Sequence, residues 1–316
     1  MRITKIKTSD GLHLYRVEGR NPERLKHGID TTDIVIVDGK KRLVFIGDKL
    51  QPKHATVRSA GFVFVNVASI LSNGATNIKQ AKTQKRFHDV VSVIYYGAPA
   101  GSAGLNIFTC SHASRECAEF CLNTAGKGTL LSVQLSRIAR SRLQAFAPAV
   151  FWLGWKADLV KAKRKAGRES KRLACRPNGT TDQFGQELRT IIRDNSDVRF
   201  YDYTAVPSRI KESRDLANYD IVFSRKETKS NLEHVRSARS AGFNLAVVVE
   251  AEVKRIMLRS FPESFVDFDE HDLRLNDVDG HQVIGLLTPK GRMRGKSNST
   301  SMTYDSVSRL RVDMGV

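Results

Sequence analysis

The chain has 316 residues, 41% of them hydrophobic, which is enough to bury one large core or two. Its formal net charge of +19 lies well beyond what solubility requires and points to a polyanionic partner, most simply nucleic acid. No apolar run approaches the roughly 20 residues that cross a bilayer, and Met1 to Lys7 do not lead into a signal peptide's apolar stretch. The expectation is a soluble cytoplasmic protein with no membrane partner.

Residues 1–65 read as a β-rich N-terminal region. Leu12 to Val17 is a strand candidate with imperfect alternation. Asp33 to Val37 runs into Asp38-Gly39, a hairpin signal, and then into Lys41 to Ile46. Phe62 to Val65 is a further short strand.

Residues 66–295 form the main unit. Val90 to Tyr96 is a candidate buried strand, followed by a loop containing Cys110, Cys117 and Cys121. A helix is expected over about 129–146, with Leu131, Leu135, Ile138 and Phe146 near one stripe; Pro148 ends it. The next helix, about 149–166, begins apolar (Phe151, Trp152, Trp155) and ends Lys-Ala-Lys-Arg-Lys before Gly167.

Short strands then alternate with helices. Arg172 to Cys175, Val198 to Thr204, Asp220 to Ser224, Asn244 to Glu250 and Val283 to Leu287 are the strands. That alternation predicts parallel βαβ units, and their number suits a TIM-like parallel β/α barrel, complete or partial. A doubly wound open sheet is the alternative. The stretch 296–316 reads as a polar C-terminal tail.

Charge is unevenly spread. Between Leu122 and Cys175 there are twelve basic residues and two acidic ones, a net of +10. The densest part, with Lys161, Lys163, Arg164, Lys165, Arg168, Lys171 and Arg172, is the candidate nucleic-acid-binding surface. A solvated helical face would look similar.

The cysteine segment has the spacing C-x6-C-x3-C. Clustered cysteines in a reducing compartment suggest metal ligation or redox chemistry rather than a disulfide framework. Zinc would want a fourth ligand, for which His112 and Cys175 are candidates. Three cysteines also suffice for an iron–sulphur cluster with one iron open, the arrangement that radical chemistry with S-adenosylmethionine uses. The spacing matches neither a C-x2-C zinc knuckle nor the C-x3-C-x2-C pattern of radical enzymes.

Two further constellations could carry chemistry. Arg176, Asn178, Thr180, Thr181 and Asp182 follow a predicted strand, where a parallel barrel places its active site; a plain Pro-Asn-Gly turn is the alternative. Asp269, His271, Asp272 and Arg274 combine carboxylates with a histidine and suit acid–base work or metal binding. Lys290 could reach a phosphate. Asp182, Asp269, His271 and Asp272 are the catalytic candidates; Arg176, Asn178, Thr180, Thr181, Arg274 and Lys290 are the substrate-binding ones. Tyr203, Thr204, Ser224 and Glu250 are weaker strand-end candidates. Walker loops, G-x-G-x-x-G, H-E-x-x-H and serine-nucleophile elbows are absent from the sequence.

In order, Asn77-x-Lys79-x-x-Lys82, Ala98-Pro-Ala-Gly101, Cys110-x6-Cys117-x3-Cys121-Leu122, Arg176-x-Asn178-Gly-Thr-Thr-Asp182 and Asp269-Glu-His-Asp-x-Arg274 resemble the phage family catalogued as gene product eighty-eight. The resemblance covers about residues 66 to 295. It implies a host-cytoplasm setting and a distant likeness to radical-enzyme barrels. The family pattern carries an apolar residue at Cys175, which implies that Cys175 is not an essential ligand, and an aliphatic one at Pro177.

Three functions follow as expectations. One is an enzyme with a metal or iron–sulphur centre acting on nucleic acid or a nucleotide-like substrate. Another is a nucleic-acid-binding protein pinned by structural zinc. The last is a phage factor that binds a host protein.

Overall fold

The computed structural model describes residues 2–7, 13–18, 31–38, 41–47, 57–59, 62–73, 78–295 and 303–316. Six N-terminal strands, β1 (Arg2–Lys7), β2 (His13–Glu18), β3 (Thr31–Asp38), β4 (Lys41–Gly47), β5 (Val57–Ser59) and β6 (Phe62–Asn66), form an antiparallel sheet in the order β1-β2-β3-β4-β6-β5. Asp38 pairs with Lys41, so the expected hairpin at Asp38-Gly39 has its register there. Val44 is fully buried and joins the core of the rest of the chain.

The second sheet is built from β7 (Leu71–Asn73), β8 (Val90–Tyr95), β9 (Arg172–Arg176), β10 (Val198–Thr204), β11 (Tyr219–Ser224), β12 (Asn244–Val249), β13 (Phe265–Asp267), β14 (Ile284–Leu287) and β15 (Thr303–Tyr304). Its order is β13-β14-β12-β11-β10-β9-β8-β7, with β15 beside β12. Every pairing is parallel except β7 with β8. Val248 pairs with Leu287 on one side and with Thr303 on the other, so β15 lies on the side of β12 that faces β11.

The helices are α1 (Ile78–Arg86), α2 (Arg115–Glu119), α3 (Leu131–Phe146), α4 (Pro148–Arg168), α5 (Gln186–Asp194), α6 (Ser208–Glu212), α7 (Lys229–Ser240), α8 (Ala251–Ser260), α9 (Asn276–Asp279) and α10 (Val307–Met314). Pro148 starts α4 as well as following α3, because its fixed φ suits a first helical position. In α4, Phe151, Trp155, Leu159, Ala162 and Ala166 recur at helical spacing and are buried.

One face of the sheet carries Val91, Val93, Leu173, Cys175, Phe200 and Ile221 into a core shared with α3, α4 and α5. Phe223, Leu245, Val247 and Leu286 continue it against α7, α8 and α10. The opposite face presents Val90, Ala174 and Tyr201, packed against Leu273 and Leu275. Farther along the same face Val222 and Ala246 pack on Phe268. A Cβ on Gly285 would lie 1.9 Å from the Phe268 ring, so only glycine lets that ring reach the strand.

The expected barrel is corrected here to an open sheet. β13 and β7 are its two ends and do not pair with each other. The chain from β13 to β14 crosses the face that a barrel would enclose and fills it with Phe268, Leu273 and Leu275. The polar tail expected over 296–316 also differs in its described part. Residues 303–316 add β15 and α10, with Tyr304, Leu310 and Met314 buried, because these three supply an apolar stripe the polar composition concealed.

Candidate functional site

The site lies where the parallel strands end. β8 leads into the loop that carries the three cysteines, and that loop is fastened at both ends. Thr109, fully buried, donates through Oγ1 to Ala98 O at 2.5 Å. Asp182 N donates to Thr109 O at 2.9 Å, and Cys110 and Asp182 form an isolated parallel bridge. Ala100 N donates to Cys110 Sγ at 3.3 Å. Ser114 caps α2 by accepting from Cys117 N.

The opposite support is the turn after β11. Glu227 accepts from Ser114 Oγ at 2.6 Å and from Glu116 N at 3.1 Å. Lys226 Nζ donates to Cys117 Sγ at 3.0 Å. Burial alone would lower the Lys226 pKa; Cys117, Asp182 and Cys110 nearby outweigh it and hold the ammonium above its ordinary range. Burial pushes the Cys110 and Cys121 thiols up, and the neighbouring acidic groups add to this: Asp182 and Cys121 for Cys110, Cys117 for Cys121. Cys117, Cys110 and Asp182 lie near the Lys226 ammonium, and Cys121 lies near both Lys226 and Arg137. Among the described residues, no three His, Cys, Asp or Glu side chains are arranged to hold one metal ion.

The turn after β9 forms the floor. Gly179 N donates to Tyr95 O at 2.8 Å, and a Cβ there would lie 2.6 Å from both Ile94 and Tyr96. The Asn-Gly pair is thus set by close approach to β8. Asn178 is a structural clamp: its amide nitrogen gives Asp202 a bond of 2.7 Å, and its amide oxygen accepts from Thr181 and Gln183. Thr180 donates to Gly97 O at 2.6 Å. Asp182 emerges above them, accepting from Thr204 Oγ1, Ala205 N and Arg209. Arg209, 1% exposed, bridges Asp182 at 2.5 Å and Asp202 at 3.1 Å and lies over the rings of Phe184 and Tyr219. Burial raises Asp202, with Arg209 opposing.

The remaining predicted residues go elsewhere. Arg176 points to the opposite face of the sheet, paired with Asp272 at 3.0 Å and stacked on Tyr203. Arg274, fully buried, pairs with Asp279 at 2.8 Å and contacts His271. Burial, with Arg274 beside it, lowers His271 to about 4, so it is neutral at neutral pH. Burial raises Asp279 to about 6 against the pull of Arg274. Asp269 forms a third group with Lys254, Lys290 and Thr288. Burial would raise it, but the bonds from Lys290, Lys254 and Thr288 hold it well below the usual carboxylate range. His112 is exposed, with Nδ1 3.0 Å from Ser111 Oγ. Cys175 is fully buried in the helix-facing core, which raises its thiol.

The basic run occupies the other end of the strands. Lys163 bonds Asp197 at 2.8 Å just before β10, and Arg172 bonds Asp89 just before β8. Lys161 pairs with Asp158, and Lys165 and Lys171 with Glu169. Arg164 and Arg168 are exposed.

Sequence reasoning missed Lys226, Glu227 and Arg209. The signal available was position: each follows a predicted strand by a few residues, as Asp182 does. No helix of the described residues is long and apolar enough to cross a membrane. A model of the family described as Gene product 88 matches residues 69–304, a span that takes in every side chain of this site. No curated protein and no solved structure matches the chain.

Proposed function

The chain belongs to the Gene product 88 family, and from that premise we propose that Cys110, Cys117 and Cys121 hold an iron–sulphur cluster at the strand ends, in an enzyme acting on nucleic acid or a nucleotide-like substrate. The observation that carries this is the convergence of three cysteines of one loop, with Cys117 accepting from Lys226 and Cys110 bridged to Asp182. Thiolates that bind a polynuclear cluster attach to different irons, so they need to converge without being close enough to share one ion. Three loop thiols match a cluster with one open iron, whereas structural zinc wants a fourth ligand, and Cys175 is buried in the helix-facing core.

When bound, a three-thiolate cluster supplies electron transfer and one open iron to which S-adenosylmethionine or substrate can attach. The protein's own residues supply the setting. Lys226 places a positive charge and N–H donors against the thiolates, which offsets their negative charge. Asp182, fixed by Thr204, Ala205 and Arg209, presents a carboxylate beside Cys110. Glu227 holds the loop to the turn that carries Lys226.

The test is the visible spectrum of anaerobically purified protein. A brown sample with broad absorbance near 400 nm, an order-of-magnitude position for thiolate-to-iron charge transfer, supports the proposal. It should bleach to background in the Cys110→Ser, Cys117→Ser and Cys121→Ser variants and persist in Cys175→Ser. Equal colour in the loop variants and the wild type would refute it.

A further inference from the structure

A cavity of about 300 Å³ opens beside the cysteine loop. Among its lining residues are Phe108, Ser111, Asp182, Gln183, Phe184 and Glu212. We propose that it is a binding subsite for an amino-bearing nucleobase, a reading that rests on the proposed nucleotide-like substrate and narrows it.

The aromatic wall is prearranged. Phe108 is 71% exposed and lies close to Gly101, where a Cβ would come within 3.2 Å of its Cε1. The exposed ring is open to a planar partner. An exposed phenylalanine costs hydration free energy, and a base stacked on it removes that cost. The size is at the lower end of small-ligand sites and suits one nucleoside-sized group.

The polar wall offers acceptors. The Gln183 side-chain oxygen is buried and has no hydrogen-bond partner among the described residues. Glu212 makes no ion pair or hydrogen bond to the described residues, in contrast to the nearby Asp182 and Arg209, which hold each other. An unpaired buried acceptor is costly, so this wall favours a ligand that brings N–H donors. Adenine, guanine and cytosine carry an exocyclic amino group with two N–H donors; uracil offers a single N3–H between two carbonyls and meets these acceptors less well. The base could belong to S-adenosylmethionine or to a substrate nucleotide. Both present the same chemistry to these residues.

Binding of the 5′-monophosphates of adenosine, guanosine, cytidine and uridine, and of S-adenosylmethionine, to the full chain by titration calorimetry tests this. The amino-bearing ligands should bind, with uridine monophosphate about tenfold weaker or more. Phe108→Ala should weaken them by about tenfold or more, as loss of one stacking contact does. Glu212→Gln should reduce the discrimination against uridine. Tighter binding of S-adenosylmethionine than of any nucleotide assigns the base to the cofactor; the reverse order assigns it to substrate. Equal binding of all four nucleotides, an unaltered Phe108→Ala, or preference for arginine methyl ester over every base overturns the subsite. The iron content of the same anaerobically purified protein separates this from the cluster. Base discrimination without iron refutes only the cluster, and iron without base discrimination refutes only the subsite.

Discussion

The strand ends and the covered face of the same sheet handle charge in different ways. On the covered face, Arg176–Asp272 and Arg274–Asp279 are ion pairs closed over by Tyr203, Phe268 and His271. Their side chains are 10% exposed or less. At the strand ends, the thiols, Lys226 and Asp182 are only partly covered, and Asp182 borders an open cavity. Buried pairs of the first kind give little net stability over an apolar core, but breaking one is expensive. Groups of the second kind keep reactive atoms accessible. The comparison separates motif residues closed into the fold from those left partly accessible at the strand ends, although both sets come from the same short motifs.

The largest expected effect breaks the covered face. Arg274→Met leaves Asp279 buried without its partner and should cost about 3–5 kcal/mol in urea unfolding. A loss below about 1 kcal/mol would remove the distinction between the two regions.

The next effect is pH-dependent. His271 titrates at its ordinary 6.5 when unfolded and at about 4 when folded. As pH falls below 6.5 the unfolded chain binds the proton first, so this group withdraws stability between about 6.5 and about 4. Asp279, raised from 3.8 to about 6, works in the opposite direction between about 6 and 3.8, over most of that window. His271→Phe should therefore gain about 2 kcal/mol relative to wild type between pH 7 and pH 4.5, at about 1.4 kcal/mol per pKa unit. Unfolding curves at the two pH values measure it; a constant difference would contradict the burial of a neutral imidazole.

A smaller effect belongs to the strand ends. Glu227→Ala removes both acceptors that hold the start of α2 and should cost about 1 kcal/mol, as loss of a helix cap does. Hydrogen exchange should quicken at residues 114–121 and stay unchanged on the covered face. Uniform quickening would mean that the loop and the core unfold as one unit.

The smallest effect on stability comes from the far end of the strands. Arg164→Gln with Arg168→Gln should change stability by less than about 0.5 kcal/mol. If nucleic acid lies on that edge, the double variant lowers the slope of log affinity against log salt by about 1 per arginine removed. An unchanged slope would place the nucleic-acid contact nearer the cysteine loop.

Much of this organisation was legible in the sequence. The Asp38-Gly39 turn, the apolar stripe of α4 and the alternation of strands with helices are local patterns, and local patterns survive in one dimension. Barrel closure was not legible, because it depends on whether β13 and β7 meet and on what Phe268 and Leu273 cover. Cys110, Cys117, Cys121 and Asp182 stand out in the sequence because three cysteines in twelve residues are rare and Asp182 follows a strand. Lys226 and Glu227 sit in an ordinary charged stretch, Ser-Arg-Lys-Glu-Thr, and only the parallel order of β8, β9, β10 and β11 carries that turn to the loop. Arg176 and Asp182 looked alike in the motif. A clamp at Asn178 and a turn at Gly179 send them to opposite sides of the sheet.

The central claim is that the loop binds a cluster and not one ion. Iron, acid-labile sulphide and zinc per chain in anaerobically purified protein test it most directly. The account predicts iron and sulphide in equal amounts, about four of each per chain at full occupancy, with zinc at trace level. One zinc per chain with no sulphide would contradict it.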